Sequence, residues 1–370
     1  MNGGRRAGAT IRSMFGVGIV VAALGLGGCI SDDPPAAPQP LTINDYGQPL
    51  SEEMQRRLWV AAKIRALDPC GFLDPAQVGE LGAVAQFGPD PYNGPGSCRA
   101  GVAPPGLAPK SFGLAEISID LEREAPDTGA VALTEDGLVY HDEMYDGGSL
   151  GCGRLIRLDI PEARDSSGRS VDGAFMSVVA QGFGRSPDGN DPQRDCEIAD
   201  RLTPGIVELI RGEQPPQRVD ADIVAPLGDR TSCDLLEHLP QDYRVENWVP
   251  TSSPYLCDFD VAGPGIAAGD GSVRALIDTR IETEAVEPGP LEQDMAPTRR
   301  RVDDRPVLLL TDGDSCRARL PAGGVIDANR SGFDLDEHEA ELGRVRTVVE
   351  LEGACAAVQP LLPAMVATFG

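Results

Sequence analysis

Cys196–Ile210, CEIADRLTPGIVELI, returns 159 residues later as Cys355–Phe369, CAAVQPLLPAMVATF. Both stretches fit Cys-x7-Pro-x2-Val, through Pro204 and Val207 in the first and Pro363 and Val366 in the second. The match extends upstream. Cys70-Gly-Phe-Leu answers Cys233-Asp-Leu-Leu, and Cys98 and Cys257 each precede a Gly/Pro turn, GVAPPGLAP and DVAGPGIAA. After each turn comes an alternating segment, Glu116–Glu124 (EISIDLERE) or Val273–Glu284 (VRALIDTRIETE), with the two-residue period of a half-buried strand. Shifting Cys70, Cys98, Cys152 and Cys196 by 159 to 164 residues lands on Cys233, Cys257, Cys316 and Cys355. The chain reads as an internal duplication.

Duplication reduces the 105 ways of pairing eight cysteines to three per copy. Neighbour pairing is favoured: Cys70–Cys98, Cys152–Cys196, Cys233–Cys257 and Cys316–Cys355, each bond clipping a helix onto a strand. Closing loops of these lengths contributes roughly 3.5–4 kcal/mol apiece in the chain-entropy account. Zinc is the competing use of such cysteines, but no Cys-x2-Cys pair is present to serve it. No metal or cofactor is expected.

The expected fold is α+β: two tandem copies of a mostly antiparallel twisted sheet flanked by terminal helices, each stapled by two disulfides. In the first copy, Ser51 opens a helix running to about Leu67, and Asp74-Pro75 opens a short second one. Strands are expected near 98–103, 113–123, 130–141, 152–160 and 173–183, then a helix at 193–211 that Pro204 should kink or restart. The second copy repeats the order, with a short helix at 233–239 and strands near 254–261, 272–284, 306–311, 315–320 and 343–352. A helix at 354–368 closes it. The boundaries that follow are 1–28 for a signal peptide, 29–48 for a lipidated tether, 49–212 for the first domain, 213–231 for a linker and 232–370 for the second domain.

Arg5, Arg6 and Arg12 precede an apolar stretch, Met14–Gly28, too short and glycine-rich for a membrane-spanning helix and suited to a signal-peptide core. Leu26-Gly27-Gly28-Cys29 resembles a bacterial lipobox, which implies diacylglyceryl transfer to the Cys29 thiol and cleavage before it. Two or more acyl chains suffice for stable anchoring. The count of nine cysteines agrees, since eight pair and one remains. Ile30–Pro40, ISDDPPAAPQP, cannot build a core and reads as an extended spacer.

The net charge of −26, which becomes −29 once Arg5, Arg6 and Arg12 are removed, repels phosphate backbones and argues against nucleic acid as a partner. Gly147-Gly148-Ser149-Leu150-Gly151 matches G-x-S-x-G. A nucleophile elbow, however, needs a helix after the serine, and Arg154–Ile160 alternates like a strand. His141, His238 and His338 are the only histidines, and two of them lie in the other copy from Ser149. Carboxylate pairs such as Glu135/Asp136 and Asp303/Asp304 carry little information in so acidic a chain. Asp334–Glu339 and Asp188–Asp191 could offer oxygen ligands to calcium but lack EF-hand spacing, and read as solvated loops. Asp312-Gly-Asp314 reads as a turn. Arg299-Arg300-Arg301 is the one basic run; it reads as a mobile Pro-rich loop in preference to a contact for anionic headgroups. Trp59 should anchor its helix to the first domain, and Trp248, near Tyr243 and Tyr255, should pack in a core.

The leader, Asp68-Pro-Cys-Gly-Phe-Leu73 and the paired-cysteine pattern resemble a large group of actinobacterial secreted lipoproteins of unknown function, closely over 60–200 and more loosely over 230–369. The resemblance implies an envelope-facing binding or sensor-like domain and brings no catalytic residues with it. The expected function is non-catalytic binding of a protein partner, an envelope lipid or a glycan at the outer face of the cytoplasmic membrane. The alternative from another class is a secreted hydrolase using Ser149 or a carboxylate pair.

Overall fold

The computed structural model describes residues 45–370 except 104, 106–112, 124–130, 149–150, 162–173, 187–188 and 213. Ser51 caps helix α1 (Glu52–Ala66) by accepting from the Met54 amide, with Glu52 and Glu53 at its positive end and Lys63 and Arg65 at its negative end. Asp74 caps α2 (Pro75–Gly79), where Pro75 occupies a position that needs no amide donor. Asp191 caps α3 (Pro192–Arg211), which runs on through Pro204 as one helix.

The first sheet contains β1 (Ala83–Gly88), β2 (Ser97–Ala103), β3 (Ala115–Arg123), β4 (Val139–Gly148), β5 (Gly151–Arg157) and β6 (Phe175–Gln181). Its order is β1-β2-β3-β6-β5-β4, antiparallel throughout. A small hairpin, β7 (Arg185–Ser186) and β8 (Gly189–Asn190), leads into α3. The second sheet contains β9 (Arg244–Trp248), β10 (Leu256–Ala262), β11 (Ser272–Ile281), β12 (Ala296–Val302), β13 (Arg305–Asp312), β14 (Ser315–Asp327) and β15 (Arg344–Ala354). Its order is β12-β13-β14-β15-β11-β10-β9.

Matching the cysteines pairs β1 with β9, β2 with β10, β3 with β11, β4 with β13, β5 with β14 and β6 with β15. The two strand orders are then identical, with β12 added at one edge. Among the described residues, that edge of the first sheet carries a bridge, Ala132 to Tyr140. The duplication is thus present in the topology as well as in the cysteines. α4 (Glu282–Val286) and α5 (Glu337–Leu342) belong to the second copy, which closes with α6 (Cys355–Phe369).

The disulfides are Cys70–Cys98, Cys152–Cys196, Cys233–Cys257 and Cys316–Cys355, with Cα separations of 4.7 to 5.1 Å, inside the usual range. One in each domain ties a short 3-10 turn (Cys70–Phe72 or Ser232–His238) to β2 or β10. The other ties β5 or β14 to the closing helix.

Each sheet and its closing helix enclose a core, one around Phe72, Ile117, Met176 and Ile206, the other around Tyr255, Phe259, Leu351 and Met365. The two domains nonetheless belong to one compact unit. Helix α1, assigned to the first domain from sequence, serves both: Val60 and Ile64 join the first core while Leu58 packs on the second. Trp59 joins neither core and lies half-buried beneath the Lys63 ammonium, 5.1 Å from the ring centroid. Tyr46, placed in the tether from sequence, is docked on the second domain. The linker is likewise docked, with Leu227 packed on the second core. Its buried Arg218 donates to the carbonyls of Arg65 and Pro95 and to the Tyr255 hydroxyl at 3.0 to 3.1 Å.

Candidate functional site

A groove of about 810 Å³, within the range of ligand sites, lies mainly on the first domain, with Asp220–Ile223 of the linker and Arg330 of the second domain also lining it. Its floor is apolar: Phe72 and Leu73 follow Cys70, Phe87 comes from β1, Ile206 and Leu209 from α3, and Ile223 from the linker. Gly205 lets α3 lie close to α2, since a Cβ there would stand 3.2 Å from the Gln77 amide. Leu209 is 36% exposed, an uncovered apolar side chain in that set.

The walls are acidic. Asp68, Asp74, Glu208, Asp220 and Asp222 line the groove, and Arg330 is the one cation that does. Five to one exceeds the chain's own 58 acidic to 32 basic residues, so the groove is more negative than its average surroundings. Asp68 is a structural member of this set. Its carboxylate accepts from the Cys70 amide at 3.0 Å while its own amide donates to the Pro216 carbonyl. Burial raises its pKa, opposed by the Cys70 and Gly71 amides and by Arg218. Asp74 caps α2. Glu208, Asp220 and Asp222 are exposed and face water or a ligand. The groove-lining set contains no serine, histidine or lysine, so no serine–histidine pair lies in it, and the chemistry it offers is that of its carboxylates and Arg330.

A smaller pocket of about 330 Å³ lies among Tyr92, Arg280, Glu284, Leu291, Glu292 and Arg317. Beside it runs an ion network: Arg319, 1% exposed, meets Glu292 and Glu350, and Arg317 meets Glu292 and Glu352 at 3.0 and 3.2 Å. These charges satisfy one another, and the pocket presents no surplus of either sign. Two further buried carboxylates sit where the domains meet. Burial pushes Asp90 up to about 7, against the lowering pull of Arg99 and Asn93, and pushes Asp278 up to about 6, against Arg280. Thr279 joins the two stretches. Its hydroxyl donates to the Asp90 carbonyl at 2.6 Å, and its own carbonyl accepts from the Tyr92 amide at 2.7 Å.

The residues singled out by sequence are scattered. Cys29, Ser149 and Asp188 lie outside the described residues. β4 ends at Gly148 and β5 begins at Gly151, so a strand follows where an elbow requires a helix. His141, His238 and His338 sit on β4, on the Ser232–His238 turn and on α5. Asp336 caps α5 by accepting from the Glu339 amide, and Glu339 accepts from the Leu114 amide, so that acidic stretch is built into the domain seam. Among the described residues no three His, Cys, Asp or Glu side chains come together in a metal-binding arrangement. The Asp312-Gly-Asp314 turn joins β13 to β14. Trp248 and Tyr255 are core residues.

The mobile-loop reading of Arg299-Arg300-Arg301 is corrected. They form the exposed edge strand β12, held by a full ladder to β13, with Arg299 paired to Glu287 at 2.8 Å. Charged side chains on an edge discourage strand-to-strand aggregation, which is a sufficient role for them.

Sequence reasoning missed the groove because its residues come from five separate segments. The one available signal was Asp220-Ala-Asp-Ile223, where a supposed spacer alternates charge with apolar residues. Comparison with protein-family models, with curated proteins and with solved structures finds no match.

Proposed function

We propose that this chain is an exported binding protein, lipid-anchored through Cys29 at the outer face of the cytoplasmic membrane, with the first-domain groove as its recognition site. One observation carries the anchor. The four disulfides consume eight of the nine cysteines within the two domains, and Cys29 is the one outside them, directly behind a leader of signal-peptide type. Four such bonds also suit an oxidising compartment. The groove supports a binding role because its lining combines exposed acidic side chains with an apolar surface.

The test replaces Cys29→Ser and follows the protein by fractionation and by mass spectrometry of the mature form. The anchor reading expects the parent chain in the membrane fraction with acyl mass on Cys29, and loss of both in the variant. A parent chain that is cleaved and released without acyl mass would remove the anchor while leaving the groove untouched.

A further inference from the structure

We propose that the first-domain groove receives an extended basic peptide segment of another polypeptide, carrying one large apolar or aromatic side chain. This rests on the reading of the groove as the recognition site and names the class of partner.

Phe87 pairs with Ala100 in the first sheet and Trp248 pairs with Phe259 in the second. Ala100 and Phe259 each stand two residues beyond the equivalent cysteines Cys98 and Cys257, so Phe87 and Trp248 occupy the same place in the fold. By the same count Gly71, one residue after Cys70, corresponds to Asp234, one after Cys233. In the second domain this place is filled by the chain itself. Tyr46 lies edge-on to Trp248, 5.1 Å between centroids, and its hydroxyl donates to the Asp234 carboxylate at 3.1 Å. Burial and the neighbouring Asp234 push the phenol pKa up, so the proton needed for that bond stays on. Leu50 from the same non-helical segment also packs on the second core.

In the first domain Gly71 and Phe87 both line the groove. The surroundings differ from the second domain in two respects. Pro216 stands where the Asp234 side chain would begin, 2.5 Å from a Cβ built on Gly71, and Arg330 lies over Phe87 at 5.7 Å. The carboxylates have moved instead to the rim, at Glu208, Asp220 and Asp222. The place that Tyr46 fills in the second domain is thus taken in the first by Pro216 and Arg330, over a Phe87 that is 8% exposed, and the groove beside it, with Leu209 and Ile223 at hand, is ringed by negative charge. A segment with an apolar side chain for the floor and arginine or lysine for the rim satisfies both features. Electrostatic complementarity of this kind sets partner choice and association rate.

Two synthetic peptides test this against the mature, disulfide-bonded chain: an arginine-flanked peptide centred on tyrosine and leucine, and the same peptide with glutamate for arginine. Binding is followed by NMR shifts and anisotropy. The arginine peptide should bind saturably, shift the Phe87, Leu209 and Ile223 resonances, and weaken with salt. Affinity should fall roughly tenfold in the D220N/D222N double variant, whose exposed positions leave folding intact. Equal binding of the glutamate peptide in the groove would overturn the basic-partner class while leaving the groove as the site. Binding of neither peptide, or shifts confined to other faces, would overturn both. Groove shifts that grow with protein concentration alone would make a second copy of this chain the occupant and overturn the proposal.

Discussion

Asp90 shows how a single buried group ties the seam between the domains to pH. Its folded pKa of about 7 lies above the ordinary value near 3.8, because burial disfavours the charged form more than Arg99 and Asn93 restore it. The folded protein holds that proton between about pH 4 and 7 while the unfolded chain releases it. The stabilisation is therefore complete below pH 4 and is lost as pH rises to 7, a swing of the order of 4 kcal/mol. Asp278, pushed up to about 6 for the same reason, acts in the same direction. Asp90→Asn should flatten this part of the stability profile and make the variant the more stable of the two at pH 8. Urea unfolding at pH 4.5 and 8 checks it; an unchanged difference between the two pH values would show that Asp90 ionises freely in the folded state.

At the scale of elements, the disulfides and closing helices were legible because cysteine spacing and apolar pattern are local properties. The buried central strands were legible too: β3 and β11 alternate, and β6 and β15 are dense in valine and other apolar residues. Three edge strands were not, and a fourth, β4, expected near 130–141, lies at Val139–Gly148. β12 is exposed along its length, so it carries no inward-facing apolar set, and its arginines read as loop. β9 buries only Trp248, and β1 is a short run of mostly small residues whose outer edge pairs with Ala328–Arg330 of the second domain. Pro204 misled in the other direction, since α3 tolerates it without a break. The Cys152–Cys196 bond holds α3, the wall of the groove, against β5. Replacing both cysteines by alanine should cost about 2–5 kcal/mol. Peptide binding should weaken with it, because α3 supplies Ile206, Glu208 and Leu209. Chemical denaturation and anisotropy on the same variant measure the two losses, and full stability without the bond would show the staple to be redundant.

On the scale of the whole molecule, the two copies are joined too closely to behave as separate beads. Helix α1 contributes to both cores, β1 is extended by a segment of the second domain, and Arg218 bonds across the junction to Tyr255. Unfolding one domain would strip apolar cover from the other. Calorimetry of the mature chain should accordingly give one cooperative transition. Two resolved transitions would mean that the shared helix and seam contribute little to either core.

The duplication, the disulfide framework and the α+β class follow from repeated local patterns, which survive in the order of residues regardless of what packs on them. Which segment covers each of the two equivalent faces does not. Tyr46 and Asp234 are 188 positions apart, and the partners of Gln86 across the seam lie 243 and 253 positions away. No periodicity encodes such contacts. They form because an N-terminal segment and a linker have apolar side chains to bury, and folding brings the second domain's face within reach of one and leaves the groove beside the other.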